Sequence, residues 1–187
     1  MKKFLYILLA VVAVFAIIYA FSGKSHATQN KALVAYFSAT GHTAAVADRL
    51  AGAINADVFV IEPEKIYTAD DLDWKNQKSR SSVEMADRSS RPAIANKIEN
   101  IEQYDVIFVG FPIWWGREPS IVDTFIEGYN FAGKTIVPFA TSGSTPTTDE
   151  AAASIQQLAP DARVLTGKRF PTDVSVKELK SWAGEWL

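Results

Sequence analysis

Ala32-Leu33-Val34-Ala35-Tyr36-Phe37-Ser38-Ala39-Thr40-Gly41-His42-Thr43 decides how the rest of the chain is read. Its first six residues are apolar without a polar alternate, the pattern of a strand covered on both faces. Three hydroxyls and a glycine then turn the chain into residues 43–54, where Val46, Leu50 and Ile54 recur at helical spacing. A second apolar run over 58–61 completes a βαβ unit. Working outward, strands are expected over 106–109, 135–140 and 162–165, and helices over 119–127, 147–159 and 175–187. Five strands alternating with helices predict an α/β fold with a doubly wound parallel sheet.

The chain has 187 residues, 48% of them apolar, which suits one domain with a full core. Lys2 and Lys3 precede an apolar run over 4–21 that contains no charge and no proline. This is read as an export signal. The run is about as short as a bilayer-spanning helix can be, and Ser25-His26-Ala27 offers a small-x-small cleavage pattern. Two outcomes stand: a signal peptide cleaved after Ala27, or an N-terminal membrane anchor over 1–27. Either places the domain of 28–187 outside the cytoplasmic membrane, secreted or anchored to its outer face.

Cysteine is absent, which excludes disulfides, thiolate nucleophiles and cysteine-held iron–sulfur clusters. The net charge of −2 becomes more negative once Lys2, Lys3 and Lys24 are set aside, and no basic block suits nucleic acid. With His26 and His42 the only histidines, neither a histidine-rich metal site nor a serine–histidine triad is available. Residues 62–104 are longer than a simple crossover and poor in large apolar side chains. They are read as a surface excursion with short helical pieces, either a functional cover or a solvated insertion. Trp182 and Trp186, four apart near the C-terminus, read as a core stripe.

Ligands of open parallel sheets bind beyond the carboxyl ends of the strands, where the strand order reverses. Three loops fall there. Ser38, Ala39, Thr40, Gly41, His42 and Thr43 open a helix with hydroxyls, a glycine and unpaired N–H groups, which suits either an anion cradle or a plain helix cap. The loop lacks the Gly-Lys-Ser/Thr ending of a triphosphate loop and the three glycines of a dinucleotide fingerprint. Pro112, Ile113, Trp114, Trp115 and Gly116 end the third strand. Adjacent tryptophans in extended chain point opposite ways, so one can fill the core while the other covers something flat; packing of both is the alternative. Thr141, Ser142, Gly143 and Ser144 follow the fourth strand with hydroxyls and amides but no charge, as a polar ligand edge or a simple turn would require.

Taken together, Tyr36-Phe37-Ser38-Ala39-Thr40-Gly41, Pro112-Ile113-Trp114-Trp115-Gly116 and Pro138-Phe139-Ala140-Thr141-Ser142-Gly143 resemble, in this order, the loops of the flavodoxin family, in particular its short members with a Pro-Ile-Trp-Trp-Gly loop. The resemblance covers nearly all of 31–187 and implies a five-stranded sheet of order 2-1-3-4-5. It further implies non-covalently bound FMN, its phosphate on Ser38 to Thr43 without a lysine or arginine in the loop, and its ring between the tryptophan loop and residues 141–144. Gly116 would let the Trp115–Gly116 peptide flip toward the flavin.

Two positions depart from the family pattern: His42, where asparagine is usual, and Ser144-Thr145-Pro146, which replaces a more glycine-rich stretch. The expected activity is electron transfer with a redox partner protein or a small-molecule acceptor. An FMN-dependent NAD(P)H:quinone-type oxidoreductase is the alternative. No acid–base pair stands out, and contact with a membrane is expected only through an uncleaved leader.

Overall fold

The computed structural model describes residues 30–141 and 147–187; the leader expected over 1–27 lies outside them. The elements are β1 (Ala32–Tyr36), α1 (His42–Ile54), β2 (Asp57–Val60), α2 (Arg80–Ala86), a single 3-10 turn (Ile101–Gln103), β3 (Val106–Pro112), α3 (Ser120–Glu127), β4 (Thr135–Thr141), α4 (Asp149–Leu158), β5 (Arg163–Val164), β6 (Lys168–Phe170) and α5 (Val176–Ala183). The strands form one parallel sheet in the order β2-β1-β3-β4-β5, with β6 also on β4. The expected strand order and α/β class hold.

Alternation along the strands builds two cores, because successive side chains of a strand point to opposite faces. Leu33, Ala35, Phe37, Ile107, Val109 and Phe111 face α3 and α4, meeting Ile121, Phe125 and Ile155. Val34, Tyr36, Phe108, Val137 and Phe139 face α1 and α5, meeting Val46, Leu50, Leu179 and Trp182. Such two-sided burial explains why β1 reads as an unbroken apolar run.

The fifth strand differs from expectation. It comes in two pieces, β5 and β6, separated by Leu165-Thr166-Gly167, with one more residue on this edge than on β4 between the two registers. The cause is Pro138. Leu165 N donates to Ile136 O, so the alternate residue Pro138 turns its nitrogen to the same edge, and that nitrogen carries no hydrogen. A bulge is where an interior strand tolerates proline. Gly167 makes the bulge fit, with φ +76° and an added Cβ only 2.0 Å from Pro138 O. The last helix is also shorter than expected. It stops at Ala183, leaving Trp186 beyond it but still packed on the α1 face of the sheet.

The excursion is not merely solvated. Tyr67, Ile101 and Tyr104 join the α3-side core, Glu64 N and Ala95 N pair with Ala93 O and Glu62 O, and Arg91 grips Glu127 of α3 through two bonds of 2.6 and 2.9 Å. Residues 62–104 therefore wall one side of the sheet's carboxyl end.

Candidate functional site

Strand order reverses between β1 and β3, and a cleft of about 1010 Å³ opens beyond their carboxyl ends. Its walls bring together Ala39, Thr40 and His42 of the first loop, Pro112 to Trp115 of the second, and Thr141 of the third. Ser142, Gly143 and Ser144 lie outside the described residues.

In the first loop, Ser38 Oγ accepts from Gly41 N at 3.1 Å, closing the turn before α1. Gly41 sits at φ +85°, a left-handed conformation that glycine adopts without penalty. Thr43 is buried and spends its hydroxyl on Thr141 Oγ1 at 2.9 Å. Among the described residues nothing takes the N–H groups of Thr40, His42, Thr43 and Ala44. Unpaired amides at a helix start attract an anion, helped by the helix dipole.

The second loop is a tight turn rather than extended chain. Trp114 N donates to Arg117 O at 2.9 Å and Arg117 N to Trp114 O at 3.1 Å, with Trp115 at φ +47° and Gly116 at φ +88°. Two left-handed central residues define a type I′ turn. Trp115 adopts this conformation at a cost of roughly 1 kcal/mol, and the residue is 52% exposed at the cleft. Trp114 instead enters an aromatic cage, edge-on to Phe37 at 5.6 Å and to Tyr67 at 5.5 Å. Trp114 thus packs against the core while still lining the cleft, and Trp115 stands exposed at it; a turn and not strand alternation separates them.

Thr141 joins the three loops. Its hydroxyl meets Thr43, its carbonyl accepts from Ile113 N at 3.0 Å, and its own chain enters the third loop. Thr43→Val should cost about 1–2 kcal/mol in urea unfolding, since it strands a buried hydroxyl. A Thr43→Val/Thr141→Val double variant should regain part of that loss; additive losses would show that the two hydroxyls act separately.

Loop motifs alone did not reveal Leu72, Trp74 and Ser81 from the excursion, or Arg169, Phe170, Pro171 and Thr172 from β6 and beyond. Trp74 is exposed and lines the cleft, and Ser81 is buried with a hydroxyl that finds no partner. Tyr67 packs against Phe37 and Trp114. Arg80 lies over its ring at 3.9 Å, and its hydroxyl donates to Glu84 at 2.5 Å, with burial raising its pKa. Arg169 brings a cation into a cleft whose first loop has none. Free amides at one end, aromatic walls at the other and an orphaned hydroxyl fit a phosphorylated, flat, polar-edged ligand.

Beneath the turn lies a second polar group. Arg117, Glu118 and Asp123 are all buried; Arg117 Nη1 donates to Asp123 Oδ2 at 3.2 Å and approaches Glu118 Oε1 at 3.5 Å. Ser154 of α4 donates to Glu118 Oε1 at 2.6 Å. Burial raises the pKa of Glu118 to about 7, and burial also pushes Asp123 above the usual carboxylate range.

A doubly wound sheet with an anion-ready first loop and an aromatic cleft at its switch point defines a flavodoxin-like α/β protein. The flavodoxin family profile matches residues 31–186, and the chain belongs to the flavodoxin family. Among solved structures it is similar to an inferred flavoprotein of Bacteroides eggerthii DSM 20697, at 46% identity and TM-score 0.79, over 84% of this chain and 98% of that one. An inferred flavoprotein of Bacteroides uniformis ATCC 8492 matches at 46% identity and TM-score 0.78, over 84% and 99%. A flavoprotein of Lactobacillus acidophilus NCFM, solved in complex with FMN, shares the fold at 20% identity and TM-score 0.60, over 83% and 99%. Among curated proteins none matches.

Proposed function

We propose that this chain binds FMN non-covalently in the cleft and carries electrons outside the cytoplasmic membrane. The observation that supports this most is the meeting of three loops at Thr141, which sets four unpaired amides and the exposed Trp115 around one cleft. The L. acidophilus relative of the same fold holds FMN. When bound, FMN supplies one- and two-electron chemistry. The chain's own residues do the rest. The N–H groups of Thr40, His42, Thr43 and Ala44 bind the phosphate, Trp115 covers a ring face from water, and Thr141 holds the loops in register. Trp74 and Leu72 line the same cleft. Export rests on the two lysines and the apolar run of the leader, and the partner is a redox protein or a small acceptor.

Visible absorption of the purified protein during stepwise reduction tests the reading, and a protein that cannot be loaded with FMN overturns it. Trp115→Ala should weaken FMN binding about tenfold, the loss of one aromatic contact of about 1.4 kcal/mol. Affinity unchanged in fluorescence titration would show that Trp115 does not cover the ring. One observation favours a second reading, an FMN-dependent oxidoreductase: the cleft is at the upper end of small-molecule sites and leaves room for an acceptor beside Trp74. Steady NAD(P)H oxidation with a quinone would select it.

A further inference from the structure

We propose that Glu118 and Asp123 hold one proton between them at neutral pH, as a buried proton-binding site beneath the tryptophan turn, and that its release loosens that turn. The proton site requires no bound FMN. Glu118 side chain is 0% exposed and that of Asp123 is 3% exposed. Each has one oxygen accounted for, Oε1 by Ser154 and Arg117 and Oδ2 by Arg117. The other oxygen of each, Glu118 Oε2 and Asp123 Oδ1, is buried without a partner. The two carboxyls converge on one atom, Arg117 Nη1, 3.5 Å from Glu118 Oε1 and 3.2 Å from Asp123 Oδ2. A single proton on Glu118, donated to Asp123, would satisfy both orphaned oxygens at once.

Charge balance requires the same proton. The cations facing the pair are Arg117 from the turn and Arg91 from the excursion, the latter 3.8 Å from Asp123 but closer to Glu127 of α3. Glu127, 44% exposed, and the exposed Asp87 answer Arg91 at the surface, which leaves Arg117 as the one buried cation, among the described residues, against the two buried carboxyls Glu118 and Asp123. Glu150 of α4 is exposed, pairs with Arg88 and offsets nothing inside. From α4 only the neutral Ser154 reaches the pair. One proton makes the group neutral, as a buried cluster should be.

The cluster touches the cleft through Arg117. Its guanidinium holds both carboxyls while its backbone N and O close the turn that carries Trp115. When the proton leaves, two carboxylates compete for one guanidinium. The residue that must move is the one clamping a left-handed tryptophan, so the rim of the cleft responds to pH.

Infrared spectra of the full-length chain test the proton, with wild-type-minus-Glu118→Gln difference spectra cancelling the bands of any bound flavin. The expected result is one carbonyl band of a protonated carboxylic acid at about pH 6 that is gone by about pH 9. A difference spectrum without that band at about pH 6 overturns the site. Ser154→Ala removes the hydroxyl that favours the ionised form, so the band should persist to higher pH; an unchanged or lower midpoint also counts against the proposal. Fluorescence of Trp115, taken as wild type minus Trp115→Phe, tests the turn. It should change with the same midpoint as the band and stay constant in Glu118→Gln, whose amide replaces the shared proton. A constant Trp115 signal in the wild type while the band disappears overturns the coupling.

Discussion

Arg117→Met should destabilise the folded domain by about 3–5 kcal/mol at pH 7, the range expected when one partner is removed from a buried ion cluster. Methionine retains most of the side-chain volume, so the loss is not a cavity effect. What is lost is the only cation, among the described residues, within bonding distance of both Glu118 and Asp123. It also removes the donor to Ser120 Oγ, which accepts from Arg117 Nη2 at 3.2 Å and would keep only its own bond to Glu84 O. The effect should depend on pH in a definite direction. Burial, more than any neighbour, raises Glu118 from an ordinary 4.5 to about 7, so the folded state holds its proton where the unfolded state has released it. The stabilisation from that proton is full below the ordinary value and is lost as pH climbs through about 7. Without the guanidinium both carboxyls need protons, and the Met variant should lose more at pH 8 than at pH 5. Urea unfolding at the two pH values, with equal slopes, is the measurement. A loss under about 1 kcal/mol at pH 8 would place this cluster among weak surface pairs.

Glu118 and Asp123 were also the residues hardest to read in advance. Their neighbours Trp114, Trp115 and Gly116 stand out by composition, whereas Arg117-Glu118-Pro119 looks like an ordinary polar start to a helix. Nothing local says that all three charged side chains turn inward, because burial here comes from α2 and α4 closing over α3, contacts between residues far apart in sequence. The same reason hid Trp74, Ser81 and Arg169. Each lies in a segment whose own pattern is polar, and only the packing of the excursion and β6 brings it to the cleft. By contrast β1, α1, β3 and β4 were legible because strands buried on both faces must be apolar throughout and α1 must repeat at helical spacing. The first loop was legible too, since the order of strands dictates where β1 ends and what that end must face. The bulge between β5 and β6 had a visible cause in Pro138. What was missing was the register, which says opposite which residues a proline's absent donor falls.

Gly110→Ala should cost about 3 kcal/mol, at the upper end for overpacking a core. Gly110 lies directly opposite Phe139 in the β3–β4 register, and the ring of Phe139 lies over it. A Cβ built on Gly110 falls 2.2 Å from ring atom Cζ and 2.7 Å from Cε2, inside the ring's own volume. The ring has no open space to retreat into, because Phe139 is fully buried in the α1-side core with Phe108, Phe170 and Trp182. Either the ring leaves its rotamer or β3 shifts against β4, and both disturb a close-packed interior. A shift of β3 would also carry Pro112 away from Thr141, so loss of stability and loss of loop alignment should appear together. Phe139→Leu supplies the decisive comparison. Alone it should destabilise by about 1–2 kcal/mol through lost ring volume. Combined with Gly110→Ala, it should leave the double variant more stable than the two losses added, since the leucine makes room for the new methyl. Additive losses in urea unfolding would mean that Gly110 is required for some reason other than the ring above it.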